Sequence, residues 1–344
     1  MQIIKTAPLG MFCKNDKIGK DDIKGKGDEK VNLAVTIGKF EALHSGHKHL
    51  INLVSEYAQA NRLASAVLSF APNPIKVLHD ADYKPLFVPT EQAALLQSIG
   101  SIDYWISHPF DVSFAQLSPK EFYKWLYKEM RCRALFVGEG FRFGRGREGT
   151  PSMLQDFSSF ANNGEKMKVV TVPNQSVGLE KVSTSQIRAL LEKGQMQEAA
   201  ALLTRPFFLI GKVQKGRQLG RAIGFPTVNL HPPEDKFLPP DGVYVTVTKI
   251  AKVAKNAENT YNIEKFQERF RSITNIGTNP TVQISSQRKV ETHIFDFNTD
   301  LYDQEILVEF HQYLRPQQTF DNLEALKNQI ALDVQIAQKY PLKT

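Results

Sequence analysis

The pattern of apolar residues changes character once along the chain, near Thr204. Before this residue, apolar strand-like segments alternate with segments of helical spacing, which favours a parallel sheet covered by helices on both faces. After it, short β-rich runs are interrupted by glycine and proline, which favours a small antiparallel barrel. The 344 residues are enough for two domains with separate cores, so we predict an α/β domain followed by a barrel.

Individual segments of the first region fit this alternation. The predicted strands are Val31–Ile37, Leu63–Phe70, Tyr104–Ile106 and Ala134–Val137, and the predicted helices are Lys48–Asn61, Glu91–Ile99 and Pro119–Met130. In the second region, the predicted strands include Phe207–Val213, Gly242–Ile250 and Ile306–Phe310, before a final helix from Leu323. A helical stretch around Gly194 separates the two regimes. We place the boundary at about Lys193, which gives domains 1–193 and 194–344.

Composition and charge narrow the function classes. The formal charge of +7 is compatible with nucleic acid, an acidic membrane surface or anionic small substrates. The densest charged run, Lys14–Lys30, mixes both signs, which predicts a solvated loop rather than a binding arm. The two cysteines form no disulfide framework or metal motif, and Lys5 and Pro8 interrupt the N-terminal apolar stretch. We expect a cytoplasmic protein with no membrane or nucleic-acid partner.

The segment Gly216–Asn229 combines glycines, arginines and oxygen ligands. Glycines let the backbone approach a phosphate, and arginine forks match phosphate oxygens. A hydroxyl and an amide oxygen two residues apart on a strand can meet one hard cation. A hairpin loop with solvated arginines is the alternative. We predict a site for ATP with Mg²⁺, in which the phosphates contact Gly216, Arg217, Gly220, Arg221 and Gly224, and the metal contacts Thr227 and Asn229.

A second candidate site follows the first strand, in Gly38–His49. A strand, a glycine turn and a helix start form an anion site, because the first amides of a helix lack intrahelical partners. His44 and His47 would share one helical face and stabilise charge as pyrophosphate leaves ATP. We predict that Gly38, Phe40 and Gly46 line the phosphates. Two surface histidines beside a helix cap are the alternative.

Longer runs of sequence resemble two enzyme families. Leu203–Tyr340 resembles the riboflavin kinase (flavokinase) family, and the Gly38 segment resembles the nucleotidyltransferase signature of FAD synthetase modules. The matching runs are Lys236–Val245, Asn275–Thr281, Val290–Tyr302 and Leu314–Pro316 for the former, and Phe110–Phe122, Val137–Gly144 and Val182–Arg188 for the latter. The resemblance implies a Rossmann-like nucleotidyltransferase domain, then a flavokinase barrel with a C-terminal helix. It also implies two activities with MgATP, riboflavin phosphorylation to FMN and FMN adenylylation to FAD.

The resemblance assigns roles to further residues. It places the catalytic base of the kinase at Glu291, although a strand glutamate can also be merely solvated. It places Arg315 and Phe141 near the flavin. It implies that Ser183, Thr184 and Arg188 bind the triphosphate of the first site, where a serine can also cap a helix.

Four departures from the FAD synthetase pattern lie in the first domain. Glu41 and Ala42 stand where Asp-Gly is usual, Asn73 replaces a histidine, and Gly140 replaces an Asp or Asn. They keep open a riboflavin kinase with a degenerate adenylyltransferase domain. A basic nucleic-acid-binding or flavin-sequestering protein is a more remote alternative. The expected partners are riboflavin, FMN and ATP, and the sequence predicts no oligomeric state.

Overall fold

The structure is a computed structural model that describes residues 1–5, 31–99, 102–158, 166–173, 176–177, 180–216, 219–251, 263–278 and 288–341. The chain divides into two compact units, Met1–Pro85 with Gln92–Val182, and Leu86–Glu91 with Ser183–Thr344. The predicted boundary at Lys193 therefore falls inside the second unit, and it stays a prediction. The charged run Lys14–Lys30 and residue Arg217 lie outside the described residues.

The first unit contains a parallel sheet. Its strands are β1 (Gln2–Lys5), β2 (Leu33–Ile37), β3 (Ala64–Ala71), β4 (Tyr104–Pro109), β5 (Cys132–Gly138) and β6 (Lys168–Val172). They are ordered β1-β4-β3-β2-β5-β6, and each neighbouring pair is parallel. All residues of β2 are buried, as expected for a strand covered on both faces. The predicted α/β class of this domain is confirmed.

Helices connect these strands. They are α1 (Ser45–Ala60), α2 (Pro74–Leu78), α3 (Pro89–Ile99), α4 (Val112–Ala115), α5 (Pro119–Lys124) and α6 (Pro151–Ser158), and a short antiparallel pair, β7 (Ser176–Val177) and β8 (Glu180–Lys181), follows β6. The predicted helix Pro119–Met130 begins at a capping box formed by Ser118 and Glu121. It continues after α5 as a π-helical turn, Trp125–Glu129.

The second unit contains a closed antiparallel barrel. Helices α7 (Thr184–Glu192) and α8 (Met196–Leu203) precede it, and Gly194 with φ +73° separates them. The strands are β9 (Phe207–Gln214), β10 (Val228–Leu230), β11 (Gly242–Ala251), β12 (Phe266–Gly277), β13 (Lys289–Ile294) and β14 (Glu305–Arg315), with α9 (Leu219–Ala222), a 3₁₀ turn (Ile263–Lys265) and α10 (Leu323–Lys339). The barrel runs β10-β13-β12-β11-β14-β9, so the predicted barrel with a final helix is confirmed.

The two sides of the barrel wall differ in chemistry. Buried hydroxyls on the inner side bond one another across strands, for example Thr246 with Ser272 at 2.7 Å and Thr274 with Thr292 at 2.9 Å. On the outer side, apolar residues such as Val245 and Ile273 pack against α10. Strand alternation therefore sends Glu291, the neighbour of inward-facing Thr292, to the outer side.

A buried ion pair holds Leu86–Glu91 within the second unit. The Lys236 ammonium lies 2.5 Å from a Glu91 carboxylate oxygen, and both side chains are 1% exposed. The other Glu91 oxygen accepts from the Ile210 amide of β9 at 2.9 Å. Lys236 also donates to the carbonyl oxygen of Leu86 at 2.5 Å. The hydrogen bonds with Ile210 of the barrel and with Leu86 thus offset the free-energy cost of burying both charges.

No helix among the described residues has both the length and the apolar character needed to cross a membrane.

Candidate active sites

Glu291 lies between two amide side chains on neighbouring strands of the barrel. Asn229 of β10 is directly opposite Glu291 of β13, and Asn275 of β12 is directly opposite it on the other side. Residues directly opposite in an antiparallel pair share a face, with Cβ atoms about 5 Å apart. The side chains of Asn229, Glu291 and Asn275 can therefore contact the same small bound group.

Two glycines of the Gly216–Asn229 segment lie against the predicted metal ligands. A Cβ added to Gly216 would overlap the side chain of Asn229. A Cβ added to Gly220 would overlap the Phe225 carbonyl oxygen and come within 3.4 Å of the Thr227 hydroxyl. The segment thus needs glycine for close packing. Gly224 adopts φ +89°, where glycine is favoured for its backbone freedom.

Cavities in the second unit adjoin these residues. One of about 640 Å³ is lined by Glu291 and Asn275 together with Gly277, Thr278, Lys289, Gln317, Gln318 and Thr319. Gln317 donates to the side chain of Asn275 at 3.3 Å. Another cavity of about 440 Å³ is lined by Ile223, Gly224, Phe225, Leu323, Glu324 and Lys327, at the turn of the glycine segment. Their volumes suit small organic ligands.

The residues that surround Thr227 and Asn229 fit a magnesium ion carried by a nucleotide. No group of three His, Cys, Asp or Glu side chains in the described part of the chain could hold a metal by itself. Mg²⁺ is usually held by few protein oxygens together with phosphates and water. Asn229 is 7% exposed and its side chain is packed on Gly216, so its amide is fixed in place. This donor set suits Mg²⁺ better than a softer metal.

Arg315 ends β14 and pairs with α10. Its guanidinium bonds the Asp333 carboxylate, with distances of 2.7 Å from Nη2 and 3.1 Å from Nε. Asp333 is 2% exposed, and the third Arg315 nitrogen, Nη1, donates to the Pro316 carbonyl. The arginine thus fixes α10 against the barrel. Its predicted contact with flavin stays a prediction.

The first unit has a tight turn between β2 and α1. Phe40 and Leu43 adopt φ of 45° and 44°, a region that is strained for residues with a side chain. Phe40 packs on Gly38, where a Cβ would come within 3.1 Å of its ring. The turn delivers His44 as the N-cap of α1, and Gly46 lies in the first helical turn. The predicted strand, glycine turn and helix start are present in this order.

His44 and His47 are stacked at this helix start. Their ring centroids are 3.8 Å apart with an interplanar angle of 19°. The Phe40 ring also packs on His47, with ring centroids 4.9 Å apart. Desolvation lowers the pKa of the nearby Lys39 ammonium, Glu41 counteracts this effect, and Arg147 adds to it. Two imidazoles at a helix N-terminus can stabilise phosphate charge.

Two of the four departures contact each other. A Glu41 carboxylate oxygen accepts from the Asn73 side chain at 3.0 Å and from the Tyr83 hydroxyl at 2.5 Å. Asn73 also caps α2 by accepting from the Ile75 amide. Ala42 is fully buried, and Gly140 is exposed in the turn after β5. The Glu41 side chain, which is longer than the usual aspartate, thus has the Asn73 amide as a hydrogen-bond partner.

Other predicted residues occupy separate places. Phe141 stacks on Phe143 at 5.6 Å in the first unit. Ser183 is the N-cap of α7 and accepts from the Gln186 amide, so the capping alternative is confirmed. The helix carries Thr184 and Arg188 in the second unit, where the Arg188 guanidinium lies 4.9 Å over the Phe237 ring. Phosphate binding by these residues stays a prediction, as does that by Arg221.

Sequence reasoning does not single out Asn275 or Tyr83. Asn275 belongs to a run that resembles flavokinases, but its position beside Glu291 follows only from the pairing of β12 with β13. Tyr83 lies in a segment without a motif, and only its hydrogen bond to Glu41 marks it.

Each unit corresponds to an ATP-utilising enzyme class. The FAD synthetase family matches residues 26–186, and the riboflavin kinase family matches residues 203–341. The chain belongs to the bifunctional riboflavin kinase/FMN adenylyltransferase family.

Named relatives agree with this membership. The chain is 32% identical over 309 residues to the bifunctional riboflavin kinase/FMN adenylyltransferase of Escherichia coli (strain K12), covering 89% of this chain and 92% of that protein. It is 30% identical over 313 residues to the protein of the same name from Buchnera aphidicola subsp. Schizaphis graminum, covering 90% and 94%. A solved Streptococcus pneumoniae structure called a macrolide-efflux protein has a TM-score of 0.78 at 24% identity, over 98% of this chain and 99% of that one. That likeness shows the fold alone.

Proposed function

We propose that this chain carries out two consecutive steps of flavin cofactor synthesis, with riboflavin kinase activity in the second unit and FMN adenylyltransferase activity in the first. Family membership over both units supports both activities. The single observation that carries the residue assignment is the row Asn229, Glu291 and Asn275 across adjacent strands. It sets a candidate base beside a candidate metal ligand.

In the kinase step, Glu291 accepts the proton of a riboflavin hydroxyl as the hydroxyl oxygen attacks the γ-phosphorus of ATP. A new oxygen–phosphorus bond forms, the bond to the β–γ bridging oxygen breaks, and ADP leaves with its electron pair. Thr227 and Asn229 would hold Mg²⁺, which neutralises phosphate charge when bound. The backbone from Gly216 to Gly224 and the side chains of Arg217 and Arg221 bind the phosphates.

In the adenylyl step, a phosphate oxygen of FMN attacks the α-phosphorus of a second ATP, and pyrophosphate leaves. His44 and His47 donate hydrogen bonds to the phosphate oxygens as charge develops. Gly38, Phe40 and Gly46 shape the phosphate site. Triphosphate binding by Ser183, Thr184 and Arg188, which belong to the second unit, stays a prediction.

Flavin contacts and location complete the proposal. Phe141 contacts the flavin of the adenylyl step. Arg315 acts on the flavin of the kinase step, and its pairing with Asp333 supports a role through the placement of α10. We also propose a cytoplasmic location, because the cytoplasm would keep the buried thiol of Cys132 reduced.

The direct test is incubation of purified protein with riboflavin and MgATP, with FMN and FAD followed by chromatography. We expect both products. FMN alone would select a kinase with an inactive first unit. Loss of both products at all salt concentrations, with salt-sensitive binding to polyanions, would select the nucleic-acid alternative.

A further inference from the structure

His293 joins the strand that carries Glu291 to the turn that carries Thr227. Its Nδ1 lies 2.8 Å from the carbonyl oxygen of Pro226. A carbonyl only accepts, so Nδ1 carries the hydrogen and donates.

The His293 ring also packs on the same turn. It meets Phe225 edge-on, with ring centroids 5.4 Å apart and an interplanar angle of 87°. The Phe225 amide in turn donates to the Gly220 carbonyl at 2.8 Å. Both residues that precede Thr227 are thus held, Phe225 by its ring and Pro226 by its carbonyl.

The strand register explains why a side chain at position 293 reaches this turn. Val228 is opposite Thr292, and Asn229 is opposite Glu291. Extending this ladder by one residue sets Thr227 opposite His293. Glu291 and His293 alternate with buried residues of β13 and share a face. One strand therefore presents the candidate base and a support for the candidate metal ligand.

We propose that His293 is a positioning residue of the kinase step, which fixes the Thr227 hydroxyl relative to Glu291 through the Pro226 carbonyl. This inference rests on the proposed kinase function. His293 holds the protein oxygens ready for the metal of MgATP, so its loss weakens nucleotide and metal binding more than turnover at saturation.

Two variants separate the hydrogen bond from the ring. His293→Asn retains a donor close to the position of Nδ1 and loses the ring, whereas His293→Phe retains an aromatic ring and loses the donor. His311→Phe is the control for loss of a barrel histidine, because His311 of β14 contacts Tyr340 and Glu309 instead of the turn. Binding of ADP with Mg²⁺ is measured by titration calorimetry. The KM for MgATP and the kcat of FMN formation are measured separately.

We expect His293→Phe to weaken Mg²⁺-dependent ADP binding and raise the KM for MgATP by about fivefold, the usual effect of one lost hydrogen bond. His293→Asn should recover most of this loss, and His311→Phe should match the wild type. Wild-type binding and KM in His293→Phe, or equal losses in both His293 variants, would overturn the proposal. Absence of FMN formation in the wild type would count against the kinase function itself, and calorimetry would still decide the role of His293.

Discussion

Asn229 and Glu291 are direct cross-strand neighbours in the barrel, although they come from different sequence motifs. One was predicted as a metal ligand and the other as a base. Their shared face places the proposed proton acceptor and the proposed metal ligand about one side-chain length apart. A phosphoryl transfer site requires this proximity, because the attacked phosphate must contact both the metal and the nucleophile.

Replacing Glu291 tests the base. Glu291→Gln keeps the shape and removes the proton acceptor, so we expect FMN formation from riboflavin to fall by about 10² to 10⁴. FAD formation from supplied FMN should stay unchanged, because it uses the other unit. Glu268→Gln is the control, since Glu268 is an exposed glutamate of β12. Kinase activity near that of the control would remove Glu291 from the mechanism.

Replacing Gly216 tests the fixed position of Asn229. Asn229→Ala should raise the Mg²⁺ concentration needed for half-maximal kinase rate, with partial rescue by excess metal. Gly216→Ala should give the same phenotype, because its Cβ would displace the Asn229 side chain. Gly211→Ala is the control, because the nearest heavy atom to its added Cβ is 3.5 Å away. Unchanged metal dependence in both test variants would show that Asn229 does not serve the cation.

Local sequence patterns predicted the strands and helices but not their pairing. Near-continuous apolar runs identified β2, β3 and β5, because burial on both faces of a sheet leaves this local signature. The opposition of Asn229 and Glu291 depends on long-range register, which no local pattern contains. Local patterns also do not show that helix α3 is divided between the two units, with its first residues in the second unit and its remainder in the first.

Glu41 and Asn73 should be energetically coupled. Each looked unfavourable by itself, yet they are hydrogen-bonded, so a single reversion removes one partner. We expect Glu41→Asp and Asn73→His each to lower kcat/KM for FMN adenylylation. The double variant should lose less than the sum, with a coupling of about 1 kcal/mol or more. Additive losses would mean that the two departures act independently.

The stability of the first unit should fall in mild acid because of His108. Burial lowers the pKa of His108 from 6.5 to about 4, and Asp111 partly opposes this. Between pH 6.5 and pH about 4, the unfolded chain therefore binds more protons than the folded chain. The contribution of His108 to the free energy of unfolding is fully present above pH 6.5 and is lost as the pH falls toward 4. The loss from this group between pH about 7.5 and pH about 5 should be about 2 kcal/mol.

Tryptophan fluorescence can follow this unfolding. Both tryptophans, Trp105 and Trp125, lie in the first unit, and the Trp125 ring is 4.7 Å from that of His108. Urea titrations at the two pH values should show a smaller pH effect in His108→Gln than in the wild type. Equal pH effects in both proteins would exclude His108 as the group responsible.

The ion pair between Glu91 and Lys236 limits how this protein can be divided. A fragment that starts at Ser183 contains Lys236 and Phe207 but lacks Phe87 and Glu91. Its Lys236 ammonium therefore keeps the contact with the Phe207 ring and loses both the Phe87 ring and the Glu91 carboxylate. Removing one partner of a buried pair typically costs about 3 to 5 kcal/mol, a large share of the stability of a small domain. Transplanting the barrel into another enzyme therefore requires Leu86–Glu91 to be supplied as well, so the transferable module is discontinuous in the gene.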